Sequence, residues 1–373
     1  MNRILKPSAT TESGSEQKRE GVTSLSVLDQ SPVSDGFTPA DALRNSIDLA
    51  RAADGLGYQR YWIAEHHAIE TLASPAPEIL IARVAAETSG IRVGSGGVLL
   101  PHYSALKVAE VFRMLHALYP GRIDLGVGRA PGSGGLEAFA LQRNRSTRQQ
   151  ATDFPQQLTE LDGFLHHSFP PEHPFHQIKV SPEMPGGPEV WLLGSSTWSA
   201  EVAAQFGLPY AFAHFIGPEE TRAALARYRS EFKPSKHLRE PRAIVALGAV
   251  CADTAAEAER LSASTKLLIR RIRLGGERRP VPTPEDAMRE LAEAGAGADP
   301  LTWDAGEWPR YIVGDPEKVT EELQSMAHDL QVHELMILTV IHDHRARLHS
   351  YELLAASFGL TRRARLETTP SPS

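Results

Sequence analysis

From residue 22 to residue 358, short apolar segments alternate with segments of helical period, and no other feature constrains the fold of this chain as much. The apolar segments fall at 22–28, 58–64, 91–100, 122–128, 189–194, 208–215, 242–250 and 334–340. Each is followed by a helix-period stretch, with less regular spacing after residue 135. The first is typical: "ADALRNSIDLARAADGLG" places Leu43, Ile47 and Ala50 on one face and offers Gly55 or Gly57 as a stop. Eight strand–helix pairs in one chain of 373 residues predict an α/β fold, a single (β/α)8 TIM barrel. The rhythm breaks at a Gly/Pro-rich, charged stretch near 275–315, read as an insertion after the seventh strand. Residues 21–360 form the predicted domain. Residues 1–20 read as a disordered polar tail and 361–373 as a polar C-terminal tail.

Charge and cysteine content narrow the function. The net charge of −7 speaks against a chain that coats nucleic acid or an anionic membrane. Cys251 is the one cysteine, so neither an intrachain disulfide nor a thiolate zinc site can form, and a cytoplasmic location is expected. The first twenty residues lack the apolar core of a signal peptide, and no apolar run approaches the roughly 20 residues of a membrane span.

A barrel of this kind works at the C-terminal ends of its strands. Those ends carry Asp29, Gln30 and Ser31; Glu65, His66 and His67; "GSGG" (94–97) with His102 and Tyr103; "GVGRAPGSGG" (126–135); "GSSTWS" (194–199); His214; and His342, Asp343 and His344. Such a collection of polar groups and glycines predicts a ligand site. In "GSSTWS", Gly194 permits close backbone approach, and Ser195, Ser196 and Ser199 stand where a helix begins. A helix N-terminus suits a phosphate, although plain N-capping would use the same residues. Arg129, at the end of the neighbouring strand, favours the phosphate, because its guanidinium can grip the same anion. "GVGRAPGSGG" does not fit a dinucleotide-binding GxGxxG, since Pro131 stands where the third glycine belongs. Gly96 and Gly97 weaken a strand. They mark either a flat ring lying against it or tight packing of the barrel.

Taken together, "YWIAEHH", "RVGSGGVLLPHYSALKVAE", "GRIDLGVGRAPG", "EVWLLGSSTWSAEVAAQFGLPYAF" and "VGDPEKVTEELQ" resemble the bacterial luciferase-like flavin-dependent monooxygenases, in unbroken order over about residues 22–360. The resemblance implies a barrel that binds FMN, usually as a homodimer. Reduced FMN comes from a separate flavin reductase and reacts with O2 to a C4a-peroxyflavin, which oxygenates a small-molecule organic substrate. Some relatives use the deazaflavin F420 for hydride transfer instead, and this stays open as the alternative cofactor. By matching motif, the resemblance places Arg129, Ser196 and Ser199 on the flavin phosphate, with backbone donors near Gly194 and Ser195. It puts a non-prolyl cis peptide at Gly96–Gly97, under the flavin ring, and makes His66 the catalytic base. Gly128 stands where the light-emitting members carry a cysteine, and "GRAPGS" lacks their aromatic residue, so the chain resembles the oxidoreductase class and not the true luciferases.

His66 is therefore expected to act in catalysis, with Glu65 as a buried orienting group that raises its pKa, and with His67 either functional or structural. Two rival readings remain. A metal-dependent barrel hydrolase would use "HDH" (342–344), but it leaves Arg129, "GSGG" and "GSSTWS" without a task, and no metal is expected. A flavin-binding protein without turnover would keep the fold and lack a use for His66. Residues 271–310, with Arg270, Arg271, Arg273, Arg278 and Arg279, are expected to form a mobile lid that attracts anionic FMN, or else an idle surface loop.

Overall fold

The strands are β1 (Ser24–Asp29), β2 (Arg60–Ile63), β3 (Arg92–Leu99), β4 (Ile123–Gly128), β5 (Glu189–Gly194), β6 (Tyr210–Ala213), β7 (Ala243–Cys251), β8 (Tyr311–Gly314) and β9 (Glu334–Leu338). In the computed structural model, which describes residues 24–130, 135–141, 150–276, 278–295, 299–303 and 306–363, every pairing between these strands is parallel. β1 to β7 run in order around a ring that β9 closes by pairing with both β7 and β1. This is the predicted (β/α)8 barrel. The predicted N-terminal tail and residues 364–373 lie outside the described residues. Residues 361–363 run against the body, where the Arg363 guanidinium meets Asp54 at 3.2 Å.

The helices are α1 (Pro39–Leu56), α2 (Pro77–Glu87), α3 (Ala105–Leu118), α4 (Gly135–Leu141), α5 (Gln150–His166), α6 (Thr197–Phe206), α7 (Thr221–Glu231), α8 (Ala255–Arg273), α9 (Pro284–Glu293), α10 (Pro316–Leu330) and α11 (His344–Ser357). Local chemistry sets their ends. Thr38 and Asp41 form a capping box at the start of α1, and Gly57, at φ 93°, ends it. No side chain fits at Gly57, because the Thr361 backbone fills the place of a Cβ.

The 275–315 stretch is more regular than its composition implied. It holds α9 and β8, and β8 pairs with the second half of β7 outside the ring. The sequence "TPED" reads as a breaker, yet here it is a helix start. Thr283 caps, Pro284 takes the first turn, and Glu285 and Asp286 favour the helix N-terminus.

Inside the ring, Leu28, Trp62, Trp191, Ile244 and Met336 pack with small alanines. The lumen's N-terminal end is charged. Arg60 meets Asp124 at 2.8 Å, Glu334 at 2.9 Å and Glu189 at 3.0 Å, and the indoles of Trp62 and Trp191 donate to Asp124 and Glu189. Attraction to three carboxylates offsets the cost of taking this cation out of water. Outside the ring, Asp29 at the end of β1 holds α11 through Arg347 at 2.8 Å, and Tyr61 donates to the same carboxylate at 2.6 Å. Burial alone would raise the pKa of Asp29, but the Arg347 charge and the donated hydrogen bonds keep it below its ordinary value.

Candidate active site

Three loop segments share backbone hydrogen bonds over the C-terminal mouth of the barrel. Ala73 N–H donates to Ser31 O and Val33 N–H to Thr71 O, each at 2.9 Å. Val281 N–H donates to Val33 O and Asp35 N–H to Val281 O, again at 2.9 Å. The insertion is thus tied to the loop after β1, which is tied to the loop after β2. The backbone N–H of His66 donates to Ser74 O at 3.0 Å and joins this ladder.

Glu65 is buried, as expected, but it does not raise the pKa of His66. The Glu65 carboxylate is buried and accepts from His67 Nε2 at 2.6 Å, from the Tyr103 hydroxyl at 2.8 Å and from Leu99 N–H at 3.1 Å. Its partner is His67, not His66. Successive side chains of an extended segment face opposite ways, so Glu65 and His67 can meet while His66 turns away. Burial raises the Glu65 pKa, opposed by those three hydrogen bonds.

Among the described residues, no acidic group acts to raise the pKa of His66. Burial, then the charges of Arg278 and His67, push it down to about 4. Its Nδ1 is enclosed and has no hydrogen-bond partner among the described residues. At neutral pH the side chain is therefore a neutral imidazole with a ring nitrogen unused by the protein.

At the ends of β4 and β5 the expected groups do come together. Ser196 is the N-cap of α6 and forms a capping box with Ser199. Ser199 is buried, and its hydroxyl lies 2.6 Å from Ser196 O and 2.9 Å from the Tyr210 hydroxyl. Its hydrogen-bonding capacity is used within the protein, so it shapes the helix start. Gly194 must be glycine because Ser199 occupies the place of its Cβ, and the Ser195 backbone passes close to Gly217. Arg129 follows β4 and is exposed, with its guanidinium carbon 3.8 Å from the centre of the Trp198 ring. Trp198 lies in the first turn of α6, so the stacking carries the cation to the positive end of that helix. Among the described residues Arg129 has no carboxylate partner. Trp198 stands inside "GSSTWS", but only the fold shows that it carries Arg129.

The Gly96–Gly97 peptide is cis, as the resemblance implies. A Cβ on Gly96 would lie 2.6 Å from Leu28 Cδ1 and 3.1 Å from Trp62 Cβ, and one on Gly97 would lie 2.7 Å from Gly126 O. The barrel's own packing therefore requires both glycines, whatever lies against the strand.

The remaining rim histidines hold the scaffold. His214 bridges the Thr221 hydroxyl at 2.7 Å and Pro309 O at 3.0 Å. His342 meets Asp35 O and His344 meets Asp48, each at 3.0 Å, while Asp343 caps α11. Among the described residues, no three metal-ligating groups converge at this rim. None of their helices is long and apolar enough to cross a membrane.

A model of the luciferase-like monooxygenase family matches residues 21–334. The chain is 41% identical to the luciferase-like monooxygenase of Escherichia coli (strain K12), over 88% of this chain and 95% of the relative. It is 37% identical to the N-acetyl-S-alkylcysteine monooxygenase of Bacillus subtilis (strain 168), over 89% of this chain and 97% of the relative. The crystal structure of apo-MsnO8 is 50% identical, covers 92% of this chain and 100% of its own, and superposes with a TM-score of 0.84. With a family match over most of its length and near-complete relatives at this identity, the chain belongs to the luciferase-like monooxygenase family.

Proposed function

We propose that the protein is a flavin-dependent monooxygenase that takes reduced FMN from a separate reductase and uses O2 to oxygenate a small organic substrate. The observation that carries this reading is the placing of Arg129 on Trp198, a cation without a carboxylate partner among the described residues, at the N-terminus of α6. An exposed guanidinium beside unpaired helix N–H groups is a fitting cradle for a phosphate. Ser196 lies at the same helix start, and Ser199 holds it there through the capping box. The bound flavin supplies the oxygen activation, and the protein supplies position and proton handling.

His66 suits the second task. Its neutral ring can accept a proton at Nδ1, which no protein group occupies. Glu65, His67 and Tyr103 form a hydrogen-bonded wall beside it, with Glu65 positioning His67. The ladder through residues 31–35, 71–74 and 281 holds the insertion over the mouth, where a closed loop excludes water. Assembly as a homodimer would cover Ile79, Met114 and Leu118, which are exposed on the neighbouring helices α2 and α3.

The test is a binding comparison followed by turnover. FMN, riboflavin and F420 are titrated into the protein, and reduced FMN with labelled O2 is then offered with candidate substrates. N-acetyl-S-alkylcysteines come first, because a relative is named for them. Tighter binding of FMN than of riboflavin, with label in the product, supports the reading. Preference for F420 with no oxygen uptake overturns it.

A further inference from the structure

The N-terminal end of the barrel carries a second cluster, far from the strand ends described above. A cavity of about 320 Å3 opens there, lined by residues of α5, the start of β5 and the loop before β7. We propose that Asp162, His166 and His237 at its edge form a zinc site that clasps α5 to the loop between α7 and β7.

The ligand geometry is already close to what zinc requires. Asp162 and His166 are four residues apart near the end of α5 and therefore share one face. His237 approaches from the loop, and the three ligand atoms all lie within 4.8 Å of one another. Asp162 Oδ1 is 2.8 Å from His237 Nε2 and 3.6 Å from His166 Nε2. Tetrahedral zinc with bonds of about 2.0–2.2 Å holds its ligand atoms roughly 3.3 Å apart, and both distances from Asp162 lie within about half an ångström of that span. Among the described residues the His166 ring has no hydrogen-bond partner, and it lies 4.4 Å from the His237 ring.

The surroundings orient the carboxylate for this task. Asp162 Oδ2 accepts from Lys236 Nζ at 2.9 Å and from the Ser168 hydroxyl at 3.2 Å, which leaves Oδ1 toward the two imidazoles. Outer contacts of this kind fix a ligand's direction and denticity. Two imidazoles and one carboxylate suit zinc better than calcium or magnesium, which prefer all-oxygen sets. All three residues are partly exposed, so water from the cavity can complete the fourth position. At this end of a barrel, away from the chemistry, the ion serves stability. No electron transfer or covalent step is involved.

The experiment uses tag-free, full-length protein, stripped with a chelator and desalted. Zinc is titrated against a chromophoric chelator, and cobalt is added separately to read visible absorption. We expect one zinc per chain, a tetrahedral cobalt spectrum, and a rise in Tm with zinc. His166→Ala and His237→Ala should each weaken zinc by more than the about 10–100-fold that loss of an outer contact costs. Circular dichroism checks that the variants fold, and the milder Asp162→Asn gives a second reading should either alanine variant unfold. His349→Ala removes an exposed histidine paired with Asp253 and should leave zinc binding unchanged. Absence of stoichiometric zinc in the parent protein overturns the proposal. Equal affinity in the parent and the His166 or His237 variants overturns it as well.

Discussion

The Arg129 guanidinium rests on the face of Trp198, 3.8 Å from the ring centre, and so reaches a helix that begins beyond the next strand. If this pair holds a phosphate, Arg129→Ala should weaken FMN by about ten- to a hundredfold, the worth of one charge-assisted contact of about 1.5–3 kcal/mol. Riboflavin, which lacks the phosphate, should bind the variant almost as it binds the parent. Trp198→Leu should cost FMN less, about 0.5–1 kcal/mol, by freeing the guanidinium to wander. Fluorescence titration of both flavins reads these differences, and equal losses for both would remove the phosphate assignment.

His66→Ala should keep FMN affinity near that of the parent and lose turnover. The pH dependence carries further information. The imidazole has a folded pKa of about 4, so it is neutral throughout the range from pH 5 upward. A rate that needs the neutral ring should hold from neutrality down to about pH 5 and fall only as the pH approaches 4. A midpoint at about 6.5, the value of a free histidine, would contradict the buried setting.

Arg347 and Asp29 are both buried and paired at 2.8 Å. Removing one partner leaves the other charge without compensation. Arg347→Met should destabilise the protein by about 3–5 kcal/mol, read as a lower urea midpoint. The double variant with Asp29→Asn should recover part of that loss. A single variant as stable as the parent would mean that the pair contributes nothing.

His214 makes stability depend on pH. Burial holds its folded pKa near 4, against about 6.5 in the unfolded chain. Between these values the unfolded state binds a proton that the folded state refuses, so stability falls as pH drops from about 6.5 to about 4 and levels off below. The slope from one such group reaches about 1.4 kcal/mol per pH unit. His214→Gln should lower stability at neutral pH and flatten the decline by up to this amount. Urea titrations at several pH values provide the comparison.

The insertion can be probed by limited proteolysis. Cleavage within 271–310 should slow when FMN is bound, if the segment closes over the flavin. Val281 is hydrogen-bonded into the loop after β1, so cuts should avoid its immediate surroundings in either state. Identical cleavage with and without FMN would leave the segment as a fixed outer wall.

The architecture was legible in the sequence because parallel strands buried on both sides read as continuous apolar runs. "EVWLLG" marks β5 to the residue, and "RIDLGVG" marks β4 to within one residue. The strand "YIVG" and the helix opened by "TPED" are hidden in the sequence, because four residues are too few for a period and because proline breaks a helix anywhere except in its first turn. Arg129 and the serines at the start of α6 were legible because each sits at a strand's end. That Glu65 and His67 share a face was legible from strand alternation, but the carboxylate's other partners, Tyr103 and Leu99 on the next strand and its following loop, were not, because only the fold brings them near. The low pKa of His66 was hidden for the same reason, since burial and Arg278 decide it.

β7 changes partners along its length. Ile244 to Gly248 pair with β9 and close the ring, whereas Gly248 to Cys251 pair with β8, outside it. Closure of the barrel is finished before the strand meets the insertion. The insertion therefore meets the barrel only outside the ring, through β8, and at the mouth, through the Val281 backbone, so changes in its length between these two anchors break no pairing of the ring. The insertion is in this sense a fitting mechanically independent of the closed ring.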